Sequence, residues 1–280
     1  MVAKTAQDLW KPKRLIEKRY QRTLKRAMKI LQQNLNGLRN PREILREIKK
    51  FSNSHEFKKF AEAEALKMVT HVFADAGRTW RQAAAKNGKG SEIYKALKKE
   101  LQGPIGGAIS AQVEQNATLI RTLPQGVARE VTQHIAEETF KSRRPEDLTE
   151  EIKELFSYKA QIRAQTIART ETAKANTALT HARSKQLGLN WYIWRTAEDV
   201  RVRSAHALMD DVICSWDNPP NPELLNHEKR NYGNDNPGEI FNCRCFPAPI
   251  VNIDFEKFPH KVCYQEKIIT MTKKQFLEIM

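Results

Sequence analysis

The chain has 280 residues and a formal net charge of +15 at pH 7, and this positive excess is unevenly distributed. Residues 1–50 contain fifteen lysines and arginines against four acidic residues, residues 51–100 contain ten against six, and the remaining 180 are balanced. No segment reaches the roughly 18 apolar residues of a membrane-spanning helix. The charged start has no apolar run behind it, unlike a secretory signal. We therefore expect that the protein is made and assembled in a cytoplasm. We also expect that its basic N-terminal part contacts a polyanion.

The first 190 residues are predicted to be helical. In residues 9–35, apolar side chains recur every three or four positions, which indicates one face of an amphipathic helix. Further helices are predicted at about 41–51, 54–86 and 91–101. A basic stripe with the period of the first helix predicts DNA binding without sequence preference. Its residues are Lys11, Arg14, Lys18, Arg19, Arg22, Lys25, Arg26 and Lys29.

A Gly/Pro-rich joint at residues 103–107 lies close to the point where the charge balance changes, so a domain boundary is predicted there. Gly188 follows the helical region at a position that favours a left-handed residue. Between these points a turn is predicted at residues 123–126. The helices expected around it are at about 108–121, 125–141, 148–157 and 159–187.

After Gly188 the pattern changes to that of a small β unit. Residues 191–194 and 212–213 predict strands, and residues 218–249 are too rich in Pro, Asn and Gly for a helix. Thr272 with Gln275 predicts a capping box before a C-terminal helix. The expected fold class is α+β. Its parts are a basic helical arm (1–102), a helical part (103–188), a β-rich Cys/His unit (189–252) and a C-terminal segment (253–280).

His206, Cys243 and Cys245 are predicted to form a metal site. Imidazole and thiolate are usual ligands of structural zinc, which would help so small and proline-rich a unit to fold. The fourth ligand could be Cys214, His227, Asp199 or a water. Because Cys-x-Cys is a tighter spacing than zinc pairs usually have, simple packing of the three side chains stays open. A disulfide is not expected in a reducing compartment.

Three motifs carry a resemblance to a known family. They are IARTET at residues 167–172, DVRVRSAH at 199–206 and NPGEIFNCRC at 236–245. In their order and spacing, over about residues 110–252, the chain resembles the minor head, or head morphogenesis, proteins of tailed double-stranded DNA phages, the Mu F-like family. The resemblance implies a non-catalytic protein of the capsid interior in the virion. It also implies that the partners are the portal protein, a major capsid or scaffolding protein, and packaged double-stranded DNA.

Charged residues of these motifs are expected to have structural roles. Arg169 and Glu171 do not share a helix face, so each is expected to tether its helix to the loop unit that follows, for example to Arg201 or Asp199. A structural role is likewise expected for Arg203.

The main alternative function is a zinc-dependent nuclease or other metal hydrolase acting on nucleic acid. Glu239 or Asp199 would then be the general base. Two thiolates with one histidine favour a closed structural site instead, so we expect no enzyme activity. A basic regulatory protein is disfavoured because helix-turn-helix and zinc-finger spacings are absent.

Overall fold

The computed structural model describes residues 9–85, 104–141, 143–229 and 231–280. A mostly helical N-terminal region is followed by a five-stranded mixed sheet, which confirms the predicted α+β class. The predicted helix at 91–101 and the predicted boundary at 102/103 lie outside the described residues. None of the described helices is long and apolar enough to cross a membrane.

The helices before the sheet confirm several predicted elements. Asn40 caps the second helix, since its side chain accepts a hydrogen bond from the Arg42 N–H, and Pro41 occupies the first turn, where its missing N–H costs nothing. The helices are α1 (Arg14–Leu35), α2 (Pro41–Asn53), α3 (His55–Ala85), α4 (Pro104–Phe140) and α5 (Thr149–Gln186), and α4 and α5 are joined through a 3-10 turn at Pro145–Leu148.

Two predicted breaks do not occur. The turn predicted at 123–126 lies inside α4, which continues through Pro124, and the break predicted near residue 158 lies inside α5. An internal proline weakens a helix, but Leu123 and Val127 on either side of Pro124 are buried, so packing offsets the local cost. A Cβ at Gly126 would lie 2.6 Å from Arg163 Nη1 of α5, so the end of the long Arg163 side chain would have to move.

The chain divides into two compact units that interleave along the sequence. The helical unit combines residues 14–70 with 111–171, and the sheet unit combines 1–13, 71–110 and 172–280. Within the helical unit, α1 buries its apolar face, including Leu31 and Leu35 at 0% exposure. The Tyr20 hydroxyl donates a hydrogen bond to Asn116 Oδ1 at 3.3 Å. The basic helix α1 is therefore part of a core.

In the sheet unit the strand order is β3-β1-β2-β4-β5, and only the β2–β4 pair is parallel. The predicted strands at 191 and 212 and the Thr272/Gln275 capping box are confirmed. Short helices α6 (Ser204–Leu208), α7 (Pro222–Leu225) and α8 (Lys273–Ile279) accompany the sheet. The strands are β1 (Trp191–Arg195), β2 (Val212–Ser215), β3 (Phe246–Pro249), β4 (His260–Tyr264) and β5 (Lys267–Met271).

Both faces of the sheet are covered by apolar residues. Tyr192 and Trp194 of β1 pack with the cysteines on one face, while Trp191 and Ile193 pack with Phe276 of α8 on the other. Strand β1 is therefore the centre of two apolar clusters, as its continuous aromatic run suggests.

A close approach between α5 and the third motif depends on Gly238, which has φ +97°. A Cβ at this position would lie 2.6 Å from Thr177 Oγ1 and 3.3 Å from the carbonyl oxygen of Ala173. The Thr177 hydroxyl also donates a hydrogen bond to the Pro237 carbonyl at 2.6 Å. Only a glycine satisfies both the backbone conformation and the space.

We predict that Gly238→Ala lowers the free energy of unfolding of the sheet unit by about 2 kcal/mol or more, because it adds both backbone strain and a steric overlap. All five tryptophans of the chain lie in the sheet unit, so urea denaturation followed by tryptophan fluorescence reports on that unit. The matched control is Gly107→Ala in α4, where a Cβ would meet no atom of the described residues within 4 Å, and it should be neutral or stabilising. Equal destabilisation by both variants would contradict the prediction.

Candidate metal centre

Two short segments of the sheet unit bring the candidate ligands together. His206 is in α6, and Cys243 and Cys245 directly precede the edge strand β3. The turn before the cysteines is closed by Glu239, whose Oε2 accepts hydrogen bonds from the backbone N–H and the side-chain amide of Asn236, at 2.8 and 3.1 Å. All three candidate ligands are buried.

The three side chains have the spacing of a metal site. His206 Nδ1 lies 3.4 Å from Cys243 Sγ and 3.5 Å from Cys245 Sγ, and the three ligand atoms all lie within 4.8 Å of one another. Tetrahedral zinc, with Zn–S about 2.3 Å and Zn–N about 2.0 Å, separates sulfur from nitrogen by about 3.5 Å. The chemistry and the geometry of this group therefore fit zinc.

Ionisation of the two thiols is coupled. The hydrogen bond from the Cys245 thiol, together with the nearby His206, lowers the pKa of Cys243 well below its usual value, although burial opposes this. Burial, and then the Cys243 thiolate, raise the pKa of Cys245 well above its usual value. The Cys245 N–H also donates to Cys243 Sγ at 3.4 Å. The group thus favours one thiolate and one retained proton, which a divalent cation would displace.

The predicted candidates for a fourth ligand are outside this group. In the part of the chain that the structure describes, the group contains neither Cys214, His227 nor Asp199. Cys214 is buried on β2, where its thiol donates to the Val212 carbonyl at 3.6 Å. Water is the remaining candidate among those that the sequence suggested.

Charged residues of the second and third motifs join the segments around the cysteines. Asp199 Oδ2 accepts hydrogen bonds from Arg201 Nη2 at 2.8 Å and from Arg244 Nη1 at 2.9 Å. Arg203 Nη2 donates to the Phe241 carbonyl at 2.8 Å, and its guanidinium lies over the Tyr232 ring, 5.1 Å from the centroid. These contacts support structural roles for the motif residues.

The first motif lies elsewhere. Arg169 Nε is 3.4 Å from Glu17 Oε1 of α1, within the helical unit, and Glu171 is 1% exposed in the same unit. Neither belongs to the metal group. The suggested tether of these residues to the loop unit stays a prediction.

Sequence reasoning missed Glu223 of α7. Its side chain is 0% exposed, and its Oε1 lies 3.3 Å from His206 Nε2. The Asn221-Pro222-Glu223 string is a helix-start signal and would have located α7, but nothing local indicates that this carboxylate points at His206.

The candidate DNA-binding residues are mostly exposed. Lys25 is half-buried, while the other seven, Lys11, Arg14, Lys18, Arg19, Arg22, Arg26 and Lys29, are exposed. All except Lys11 lie in α1, on the side away from Leu24 and Leu31. The structure thus supports the predicted amphipathic helix with a cationic face.

Comparisons with known proteins agree with the motif analysis. Residues 125–247 match the family described as Phage Mu protein F like protein. Over 144 residues the chain is 31% identical to a protein of Haemophilus influenzae that bears the name "Uncharacterized protein". That match covers 51% of this chain but only 30% of the relative's length. No solved structure matches the chain. The family match includes all three motifs and ends within β3, before the β4–β5 hairpin.

We predict that Asp199→Asn destabilises the sheet unit by about 1 kcal/mol at neutral pH, because it removes the charge that pairs with Arg201 and Arg244. Hydrogen bonds from Arg201 lower the pKa of Asp199 below its usual 3.8. The stabilisation that the Asp199 carboxylate provides should therefore be fully present above about pH 4. It should disappear as the pH falls through the lowered pKa of Asp199.

The measurement is urea denaturation followed by tryptophan fluorescence from pH 7 to pH 3. Exposed Asp217 gives the control Asp217→Asn, which should match the wild type throughout. A difference between Asp199→Asn and wild type that persists unchanged at pH 3 would contradict the ion-pair explanation.

Proposed function

We propose that this protein is a minor head protein of a tailed phage or prophage, because residues 125–247 match the family described as Phage Mu protein F like protein. It acts in the virion, on the interior of the capsid, without catalysis. The family match, with all three motifs in order, is the observation that carries the proposal. The two candidate general bases support a non-catalytic role, since Glu239 closes a turn and Asp199 pairs with arginines.

The proposed protein partners are the portal protein and the major capsid or scaffolding protein. The full chain, co-expressed with the portal and capsid proteins of its own phage, should co-sediment with portal or procapsids at a fixed copy number. Heads assembled without it should be defective in assembly or in DNA content. If it stays entirely in the unassembled fraction and heads form and fill normally without it, the proposal fails.

The proposed nucleic-acid partner is double-stranded DNA, bound by the cationic face of α1. Neutralising six to eight phosphates should give a slope of about −5 to −7 for log K against log salt. Deleting residues 1–50 would not be a clean test, because it also removes Leu31 and Leu35 from the core. Substitutions on the exposed face leave the apolar face unchanged.

We predict that the triple variant Arg22→Gln, Arg26→Gln, Lys29→Gln reduces the magnitude of this slope by about 2 to 3, because three phosphate contacts are lost. Fluorescence anisotropy with duplexes of two unrelated sequences gives both the slope and the sequence preference. The control neutralises three exposed lysines of the sheet unit, Lys261, Lys267 and Lys274, and should leave the slope unchanged. An equal effect of the two variants, or salt-independent binding, would exclude the α1 surface.

The proposed cofactor is one structural zinc ion held by His206, Cys243 and Cys245. Bound zinc would satisfy three buried polar groups at once and stabilise segments that have little regular structure. We predict about one zinc per chain in protein purified under reducing conditions, measured by elemental analysis. Cys243→Ser and Cys245→Ser should each lose the metal and unfold mainly residues 190–252.

The control for these variants is Cys263→Ser, since Cys263 is half-buried in β4 and lies outside the metal group. It should retain zinc. A zinc content near zero in the wild type would instead favour the packed-core interpretation of the three side chains.

A zinc-dependent nuclease is the second candidate function. It is favoured by one observation: three protein ligands leave a coordination position for water, as in catalytic zinc sites. Burial opposes it, because His206 is 1% exposed and each cysteine 3%. Incubating zinc-loaded protein with single- and double-stranded DNA decides between a nuclease and a non-catalytic head protein. Zinc-dependent cleavage that is abolished by Cys243→Ser would favour the nuclease.

A further inference from the structure

Glu223 is a fully buried carboxylate that the proposed function does not use. Its Oε1 is 3.3 Å from His206 Nε2, the ring nitrogen that points away from the two sulfurs. Neither that nitrogen nor the two carboxylate oxygens have a well-aligned hydrogen-bond partner among the described residues. Removing a carboxylate from water without a partner is strongly unfavourable, so its position next to His206 requires an explanation.

The backbone around Glu223 is held in place by several hydrogen bonds. Asn221 caps α7 by accepting from the Leu224 N–H at 3.2 Å. The Glu228 N–H donates to the Glu223 carbonyl at 2.9 Å, and Glu228 Oε1 accepts from Ser204, the first residue of the helix that carries His206. Helices α6 and α7 are therefore clamped together, which fixes Glu223 opposite His206.

We propose that Glu223 is a positioning residue of the metal centre: it accepts a hydrogen bond from Nε2–H of His206 and so keeps the Nδ1 lone pair directed at the metal bound by Cys243 and Cys245. This inference rests on the zinc site of the proposed function. Neutral imidazole has one protonated nitrogen and one acceptor nitrogen, so a proton held on Nε2 leaves Nδ1 free to bind metal.

The observed separation fits such a role. A formed charge-assisted N–H to carboxylate hydrogen bond is about 2.8 Å long, and the 3.3 Å between His206 Nε2 and Glu223 Oε1 is only about 0.5 Å longer. Carboxylates that orient metal-bound histidines also raise the basicity of the ligand, and their loss typically weakens metal binding on the order of 10- to 100-fold.

The first experiment measures zinc affinity of the full chain by competition with a chromophoric chelator. Glu223→Gln keeps the shape but loses the charge, and Glu223→Ala loses the acceptor, so affinity should fall on the order of 10-fold or more for the first and towards 100-fold for the second. Glu266→Gln, an exposed glutamate of the β4–β5 turn, is the control and should bind as the wild type. In cobalt-substituted Glu223→Gln, thiolate-to-metal absorption should keep its intensity, because both cysteines still bind.

The second experiment needs no variant and therefore does not depend on folding of the substituted chains. Histidine-selective 15N NMR of the zinc-loaded wild type should show His206 with a metal-bound Nδ1 and a protonated Nε2. If wild-type protein holds zinc but Glu223→Gln binds it within about twofold, or if Nε2 is the metal-bound nitrogen, the role of Glu223 is overturned and the zinc site stands. If wild-type protein binds no zinc, both the site and this inference are overturned.

Discussion

The contact of His206 with the thiols of Cys243 and Cys245 joins two segments that have little regular structure of their own. Helix α6 has five residues and the chain before β3 consists of turns, so neither segment is stable by local propensity. Burying an imidazole and two thiols is unfavourable unless their polar atoms are satisfied. One bound cation would satisfy the two sulfurs and one ring nitrogen together, and the apolar cluster of Tyr192, Trp194, Met209 and Trp216 packs around this group.

The three family motifs have two different structural roles. The second and third motifs are joined on the outside of the metal group, where Arg244, the residue between the cysteines, reaches Asp199. Arg169 and Glu171 of the first motif belong to the helical unit. Glu171 is buried there and, after burial of the hydroxyl itself, is the largest cause of the raised pKa of Tyr20. Each role uses charged or polar groups that have partners inside a folded unit.

Local patterns were sufficient for the first three helices, the strands at 191 and 212, the C-terminal cap and the three metal-ligand candidates. Local patterns were insufficient where tertiary packing decides whether a helix or strand continues or which side chains meet. Pro124 lies within a continuous helix because its neighbours are buried, and Pro247 and Pro249 lie in β3 because an edge strand tolerates residues without an N–H. Glu223 could not be found, since its significance is a long-range contact with a histidine seventeen positions away.

Helix α1 combines a core face with a cationic face, and the two are energetically linked. Lys18, Arg22 and Arg26 follow one another at four-residue steps, and like charges at this spacing destabilise a helix by about 0.2 to 0.5 kcal/mol per pair. Burial of Leu24, Leu31 and Leu35, each about 1.5 to 3 kcal/mol, more than offsets that repulsion. The core therefore keeps the helix that carries these cations folded despite their repulsion. DNA phosphates bound along it would relieve the repulsion that remains, so binding should further stabilise the helical unit.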